Sequence, residues 1–304
     1  MAYNFGQTQE TQHNMRGYYF PRSQKGGEGI NETAQIHHAT ITVAKDGTGD
    51  YESIEEAIKE ANQNHWEEGF HIHIKKGTYQ IKKEIPILKR GILITGAGFE
   101  TVIISPENKA ALVLFTERAT FEKLTFSNSH EGIRTEGDFD NNKIQDCNFL
   151  DCQTAIRMLG TQNSKIINCY YFGFNLDSPR TFIRAEGLLN RLNIHYNKSE
   201  FCEIFFETTE GRNNLSSIVG NELGGDITAK LFRCSITGNV GNGDKIHLLD
   251  LDDNDNGNNV VNGNMAEEII IDSDRNIITS NIILDRIEDN GTQNKKDNNI
   301  KEEL

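Results

Sequence analysis

The sequence predicts an all-β chain, a single-stranded right-handed parallel β-helix with an N-terminal capping α-helix. Three observations carry that prediction: a strand motif recurring at solenoid spacing, asparagine and glycine runs between its copies, and very little proline. The motif reads apolar-x-x-small-or-apolar-x-apolar. It begins at Phe121-Leu124-Phe126 and returns at Ile144-Cys147-Phe149, Ile166-Cys169-Tyr171, Leu231-Cys234-Ile236 and Ile277-Ser280-Ile282, with looser copies from Leu192, Leu215 and Val260. Successive anchors lie 16 to 29 residues apart, as coils with loops of variable length would place them.

Each such strand is too short to bury its face alone. Stacking it at about 4.8 Å on the strand of the next coil aligns like residues into ladders, and Cys147 over Cys169 is one expected rung pair. The runs Asn141-Asn142, Asn213-Asn214, Gly241-Asn242-Gly243 and Asn256-Gly257-Asn258-Asn259 fall between strands, where left-handed backbone and side-chain-to-backbone bonds make corners. Four prolines in 304 residues leave the ladders their donors.

Residues 1 to 40 are polar and aperiodic, with one aromatic knot at Tyr18-Tyr19-Phe20, and read as an arm for attachment or assembly. The β-helix is expected over 41 to 290. A first strand from Thr40 to Ala44 precedes Asp50 as N-cap and a cap helix over about 51 to 62. Tyr51, Ile54, Ala57, Ile58 and Ala61 make that helix amphipathic, so that it plugs the open end of the coil. Runs such as Phe70-His71-Ile72-His73-Ile74 and Ile92-Leu93-Ile94 supply the first coils, and residues 291 to 304 read as a charged, asparagine-rich tail.

Apolar residues make up 36% of the chain, lean for a compact globule and sufficient for coils with a thin interior column. A net charge of -14 excludes a broad nucleic-acid surface, which needs clustered Lys and Arg. No apolar run approaches the roughly 20 residues of a membrane span. The start MAYNFGQTQE lacks the basic and apolar regions of a signal peptide, so synthesis in a cytoplasm without classical export is expected. Five cysteines without CxxC spacing predict free, buried thiols.

A second ladder accompanies the first. Gly132-Ile133-Arg134, Ala155-Ile156-Arg157 and Phe182-Ile183-Arg184 recur so that, with the isoleucines inward, the three arginines stack on one outer face shared with Glu136 and Glu186. Guanidinium forks suit the carboxylates of a polyuronate, which makes Arg134, Arg157, Arg184, Glu136 and Glu186 candidate glycan contacts; the competing reading is a surface neutralised by its own glutamates. Tyr170, Tyr171, Phe172 and Phe174 are dense enough for an outward sugar platform led by Tyr170, although alternation sends two of the four to the core. Asp250, Asp252, Asn254 and Asn256 offer calcium the alternate oxygens of a D-x-N-x-N-G loop, but Gly263 stands where the bidentate glutamate belongs, and a solvated corner competes. No other cofactor is expected. His71 and His73 share an outer face without a third ligand for a metal.

The stretch Val43-Ala44-Lys45-Asp46-Gly47-Thr48-Gly49-Asp50-Tyr51, followed by Ile54, Glu56-Ala57-Ile58 and Ile74-Lys75-Lys76-Gly77-Thr78-Tyr79, resembles the opening segment of pectinesterases and other pectin-lyase-like proteins, viral tailspikes among them. The resemblance covers about forty residues and implies the fold. It also implies two catalytic aspartates, acid/base and nucleophile, beside a glutamine-rich oxyanion region and an arginine. Aligned on Cys147 to Ile156, Gln153 is retained and Thr154 stands at the first aspartate; in Thr181-Phe182-Ile183-Arg184-Ala185, Thr181 stands at the second. Threonine has neither charge nor basicity to offer, so pectinesterase chemistry is not expected. Of the polygalacturonase set only an acidic pair, Asp252-Asp253, is present. These features resemble a tailspike, fibre or capsid-decoration protein: non-catalytic or weakly catalytic, homotrimeric, docked on other virion proteins through residues 1 to 40, and binding host polysaccharide. A polysaccharide lyase or glycoside hydrolase, and a cellular scaffold, are the rival expectations; an acid pair from separate coils needs a spacing of roughly 5 to 9.5 Å.

Overall fold

The computed structural model describes residues 39–63, 69–105, 109–173, 180–200, 202–208, 215–241, 244–250 and 257–301. Within them the chain winds as a parallel β-helix. One parallel sheet of 12 strands runs from Ala39–Val43 to Lys295–Asp297, and a network of 19 strands forms the remaining walls. That network separates by register into two further ladders. One is entered by Gly77–Gln80, Thr101–Ile104 and Thr125–Ser127, the other by Ile85–Ile87, Ala110–Leu114 and Glu131–Asp140. Parallel strands joined in this way cross over right-handedly.

Alternation sorts each strand into an inward and an outward set. On the first ladder the inward column passes in register from Ile41 through Ile72, Ile94, Phe121 and Ile144 to Ile278, and its members are buried. On the second, Phe126 lies over Phe149 with ring centroids 5.3 Å apart and planes inclined by 10°. Phe182 of the third ladder closes the same aromatic core, 5.8 Å from the Tyr171 ring.

An α-helix, Ile54–Gln63, buries Ile54, Ala57, Ile58 and Ala61 in this core at the N-terminal end. Its cap differs from the expected one. Ser53 accepts the Glu56 N–H at 3.1 Å, whereas Asp50 is drawn away to the first strand and accepts the Thr42 N–H at 2.8 Å. Gly49 is required at this crossing, because a Cβ there would stand 2.6 Å from the Thr42 carbonyl oxygen.

The repeat is real, but its phase departs from the sequence motif after the third copy. Ile194, Ile218, Ile236, Val261 and Ile278 continue the column of Ile166, rather than Leu192, Leu215, Leu231, Val260 and Ile277, of which Leu192 and Leu231 are buried outside that column. The reason lies at the corner after each first-ladder strand. Cys147 and Cys169 occupy it in two coils, and thereafter it is filled by Asn197, Asn221, Asn239, Asn264, Asn281 and Asn299. The Asn197 oxygen takes the Cys169 backbone N–H, and from Asn221 onward each amide oxygen takes the backbone N–H and the amide N–H of the asparagine one coil earlier, as Asn239 does from Asn221 at 3.0 and 2.8 Å. The sequence separations along this column, 28, 24, 18, 25, 17 and 18 residues, are the true coil lengths. Cys234 belongs to the other corner column, over Asn259.

The expected tail from residue 291 is also corrected. Lys295–Asp297 and Ile300–Lys301 add a last coil, held by Asn294 and Asn299 continuing the two asparagine columns. Lys296 takes the inward position above Ile278 and pairs with Asp289 at 2.7 Å. Lys296 is exposed there, and its flexible stem keeps the charged tip in water. The polar composition that suggested a tail is that of a β-helix coil.

Candidate functional site

The third ladder carries the longest strands, Glu131–Asp140, Thr154–Gln162 and Thr181–Asn190, on three successive coils. Each bends after its outward residues at a glycine of positive φ, 110° at Gly137, 74° at Gly160 and 91° at Gly187. The outer face ahead of these bends is built in columns by the register. Arg134 lies over Arg157 and Arg157 over Arg184. One column further along, Glu136, Leu159, Glu186 and Glu207 align, and one column before, Glu131, Thr154, Thr181 and Glu203.

The arginines therefore stack as their spacing predicted, and each is already engaged by carboxylates. Arg134 reaches Glu131 at 2.9 Å, Glu84 at 3.1 Å and Glu136 at 2.6 Å. Arg157 sits between Glu131 at 3.2 Å and Glu186 at 3.4 Å. Arg184 binds Glu186 at 2.7 Å and lies 5.0 Å from the centroid of the Phe205 ring. Glu131, with only 5% of its side chain exposed, is the anchor of the set. The Arg184 hydrogen bond, opposed by burial and helped by the charge of Arg157, holds the Glu186 carboxyl below the usual carboxylate range. Arg134 is the most enclosed of the three at 19% exposed, while Arg157 and Arg184 keep 36% and 41% of their side chains exposed beside their glutamates.

Thr154 and Thr181, which the pectinesterase resemblance sets against the two aspartates, are direct neighbours on adjacent coils. Thr181 donates its hydroxyl hydrogen to Glu203 at 3.1 Å. Sequence reasoning missed Glu84 and Glu203, which come from other coils, and Glu131, whose spacing three residues before Arg134 on the same strand was the available signal. It also missed Asp140, at the far end of the first long strand. Burial, then the charges of Glu117 and Asp138, push that carboxyl upward.

Of the aromatic cluster, Tyr171 is core, with its hydroxyl donating to the Cys152 carbonyl at 2.6 Å. Tyr170 and Phe172 point outward, rings 6.4 Å apart and inclined by 20°, and Tyr170 donates to Glu200 at 2.9 Å. Phe174 lies outside the described residues, as do Asp252, Asn254 and Asn256 of the calcium candidate; Asp250 is exposed just after the strand Lys245–Leu248. His71 and His73 both reach the Thr95 hydroxyl, at 2.8 and 3.0 Å. No cluster of three His, Cys, Asp or Glu side chains able to hold a metal ion occurs among the described residues.

A pectinesterase family model, described as "Pectinesterase", matches residues 40–169, the opening coils through the Thr154 rung. Pectinesterase/pectinesterase inhibitor 18 of Arabidopsis thaliana is 24% identical over 208 residues, which are 66% of this chain and 36% of that protein. Among solved structures, a mannuronic acid specific polysaccharide family 6 lyase from human gut microbiota superposes with a TM-score of 0.59 at 15% identity, over 82% of this chain and 66% of that one. This chain shares the parallel β-helix fold of that lyase. Dettilon tailspike protein shares the fold as well, with a TM-score of 0.56 at 12% identity, over 81% of this chain and 57% of that one. The chain thus spans about a third of the length of the plant protein and less than two thirds of the tailspike chain. The family model ends before Thr181.

Proposed function

We propose that this pectin-lyase-like chain is a glycan-binding attachment protein of the tailspike or fibre kind, homotrimeric and docked through residues 1 to 40, in which the pectinesterase site has lost its chemistry. The observation that carries the reading is the in-register pair Thr154 and Thr181. Two neutral hydroxyls supply no nucleophilic carboxylate and no acid/base partner. The arginine ladder is neutralised by Glu131, Glu136 and Glu186, which leaves a polar face suited to holding a ligand. Incubation with methyl-esterified pectin, with methanol release as the readout, should give none, while a glycan array or immobilised polysaccharide should retain the protein. Light scattering should report three copies. Methanol release abolished by an Arg157→Ala change would refute the loss of chemistry, and a monomer retained on no glycan would refute the attachment role.

A second reading, a polysaccharide hydrolase or lyase, is favoured by one observation: Asp140 is pushed toward the protonated form by burial and by Glu117 and Asp138, the condition of a general acid. New reducing ends or unsaturated uronate from pectin, alginate or bacterial capsule, lost in Asp140→Asn, would establish it. No release from any of the three sets it aside for those substrates.

A further inference from the structure

Beside the arginine ladder, the outer column of the third wall begins with two exposed apolar side chains. Leu88 is 54% and Phe115 43% exposed. They are neighbours on adjacent coils, since the Phe115 N–H donates to the Ile87 carbonyl at 2.9 Å and Ile87 pairs with Leu114. Leu114 pairs in turn with Thr135, which sets Phe115 beside Glu136 in the next coil. From there the column continues through Leu159 to Glu186 and Glu207. The charges along this face are unequal. Six carboxylates, those of Glu84, Glu131, Glu136, Glu186, Glu203 and Glu207, meet three guanidinium groups and the Lys230 ammonium.

From this geometry we infer that the face takes a neutral glycan, lying along the coil axis with a sugar ring on Phe115 and Leu88 and hydroxyls on Glu136 and Glu186. The inference rests on the glycan-binding reading above and narrows it to one chemical class. An exposed aromatic ring offers the apolar face of a pyranose a stacking surface, and ionised carboxylates are acceptor-only groups that take paired hydroxyl donors. The coil spacing of about 4.8 Å presents successive side chains at close to the repeat of a sugar chain. A polyuronate is disfavoured twice, because the arginines are already paired within the wall and the surplus charge repels its carboxylates.

The test is affinity electrophoresis of the full chain in gels containing glucan, mannan or galactan against polygalacturonate or alginate. Retardation is expected by at least one neutral polymer and by neither anionic one. Phe115→Ala, an exposed position at which the fold can be checked by circular dichroism, should weaken neutral retention about tenfold. The pair Glu136→Gln with Glu186→Gln, which takes from Arg184 its carboxylate partner and leaves Arg134 paired with Glu131 and Glu84, should lower neutral retention and raise polygalacturonate binding. Retention by an anionic polymer alone in the unaltered chain overturns the inference and leaves the glycan-binding reading standing; retention by none overturns both. A change of oligomeric state in Phe115→Ala without any effect on retention would assign the patch to contact between copies and overturn the inference as well.

Discussion

Replacing Asn239 by alanine tests whether the asparagine column holds the coils together. Asn239 is 2% exposed and makes four bonds. Its oxygen accepts the Asn221 backbone N–H at 3.0 Å and the Asn221 amide at 2.8 Å, while its own amide donates to the Ile218 carbonyl at 3.0 Å and to the Asn264 oxygen at 2.9 Å. Alanine orphans two donors of Asn221 and the Ile218 carbonyl, all in a buried corner. At about 1–3 kcal/mol for a buried unsatisfied group, with water entering part of the space, the expected loss is about 3–4 kcal/mol. Asn239→Leu separates the causes, since it fills the volume and restores no bond; an equal loss would identify the unmade hydrogen bonds as the cost. Asn299→Ala is the control. It ends the same column on a half-exposed coil, where water can replace its bonds to Asn281, and should cost about 1 kcal/mol or less. Urea unfolding gives the free energies, and exchange of the Asn221 amide hydrogen gives the local effect. If Asn239→Ala and Asn299→Ala cost the same, the column is a by-product of composition rather than a structural spine.

Three further outcomes follow from named contacts. Phe149→Ala removes the ring stacked between Phe126 and Phe182 and should cost about 3–5 kcal/mol, measured as a fall in the urea midpoint at constant slope. All five cysteines are buried, and burial pushes the thiols of Cys152, Cys202 and Cys234 up to about 12, so a thiol reagent at pH 8 should label none in the native chain and five in urea. Fast labelling of the folded protein would contradict that packing. Glu186 has a folded pKa below its ordinary 4.5, so its stabilisation is present above that value and is lost as the pH falls through the folded pKa. Glu186→Gln should therefore flatten the acid limb of the stability profile measured between pH 5 and pH 3.

The first three copies of the motif were legible because every position in them has the expected chemistry. Phe121, Ile144 and Ile166 are inward, and Leu124, Cys147 and Cys169 fill the corner with apolar or weakly polar groups. From Asn197 onward the corner is an amide, and the search for an apolar residue there slides onto the wrong triplet, as in Leu231-Cys234-Ile236. An isolated asparagine reads as loop because a buried amide is costly; stacked at one per coil, each satisfies the next and burial becomes tolerable. That compensation spans coils, so no local window displays it. The arginine ladder was legible for the opposite reason, since Arg134, Arg157 and Arg184 recur within identical local patterns, whereas the carboxylates that engage them come from several coils.

The register also fixes what positions 154 and 181 can offer chemically. Two ionised side chains at positions 154 and 181 would stand about one coil spacing apart, near 4.8 Å, and would need nearby positive charge to remain ionised together. In this chain those positions are hydroxyls, and Arg157 instead bridges Glu131 and Glu186 from the coils on either side. The arginine that could have steadied a reactive pair is consumed within the wall, and the glutamates it binds are held in ion pairs rather than presented as bases. Restoring one aspartate at 154 or 181 would therefore add a carboxylate to a face that has no uncommitted guanidinium among Arg134, Arg157 and Arg184 to receive it. The expected outcome of Thr154→Asp is a less stable protein with no methanol release from pectin, and esterase activity gained by that single change would refute the argument.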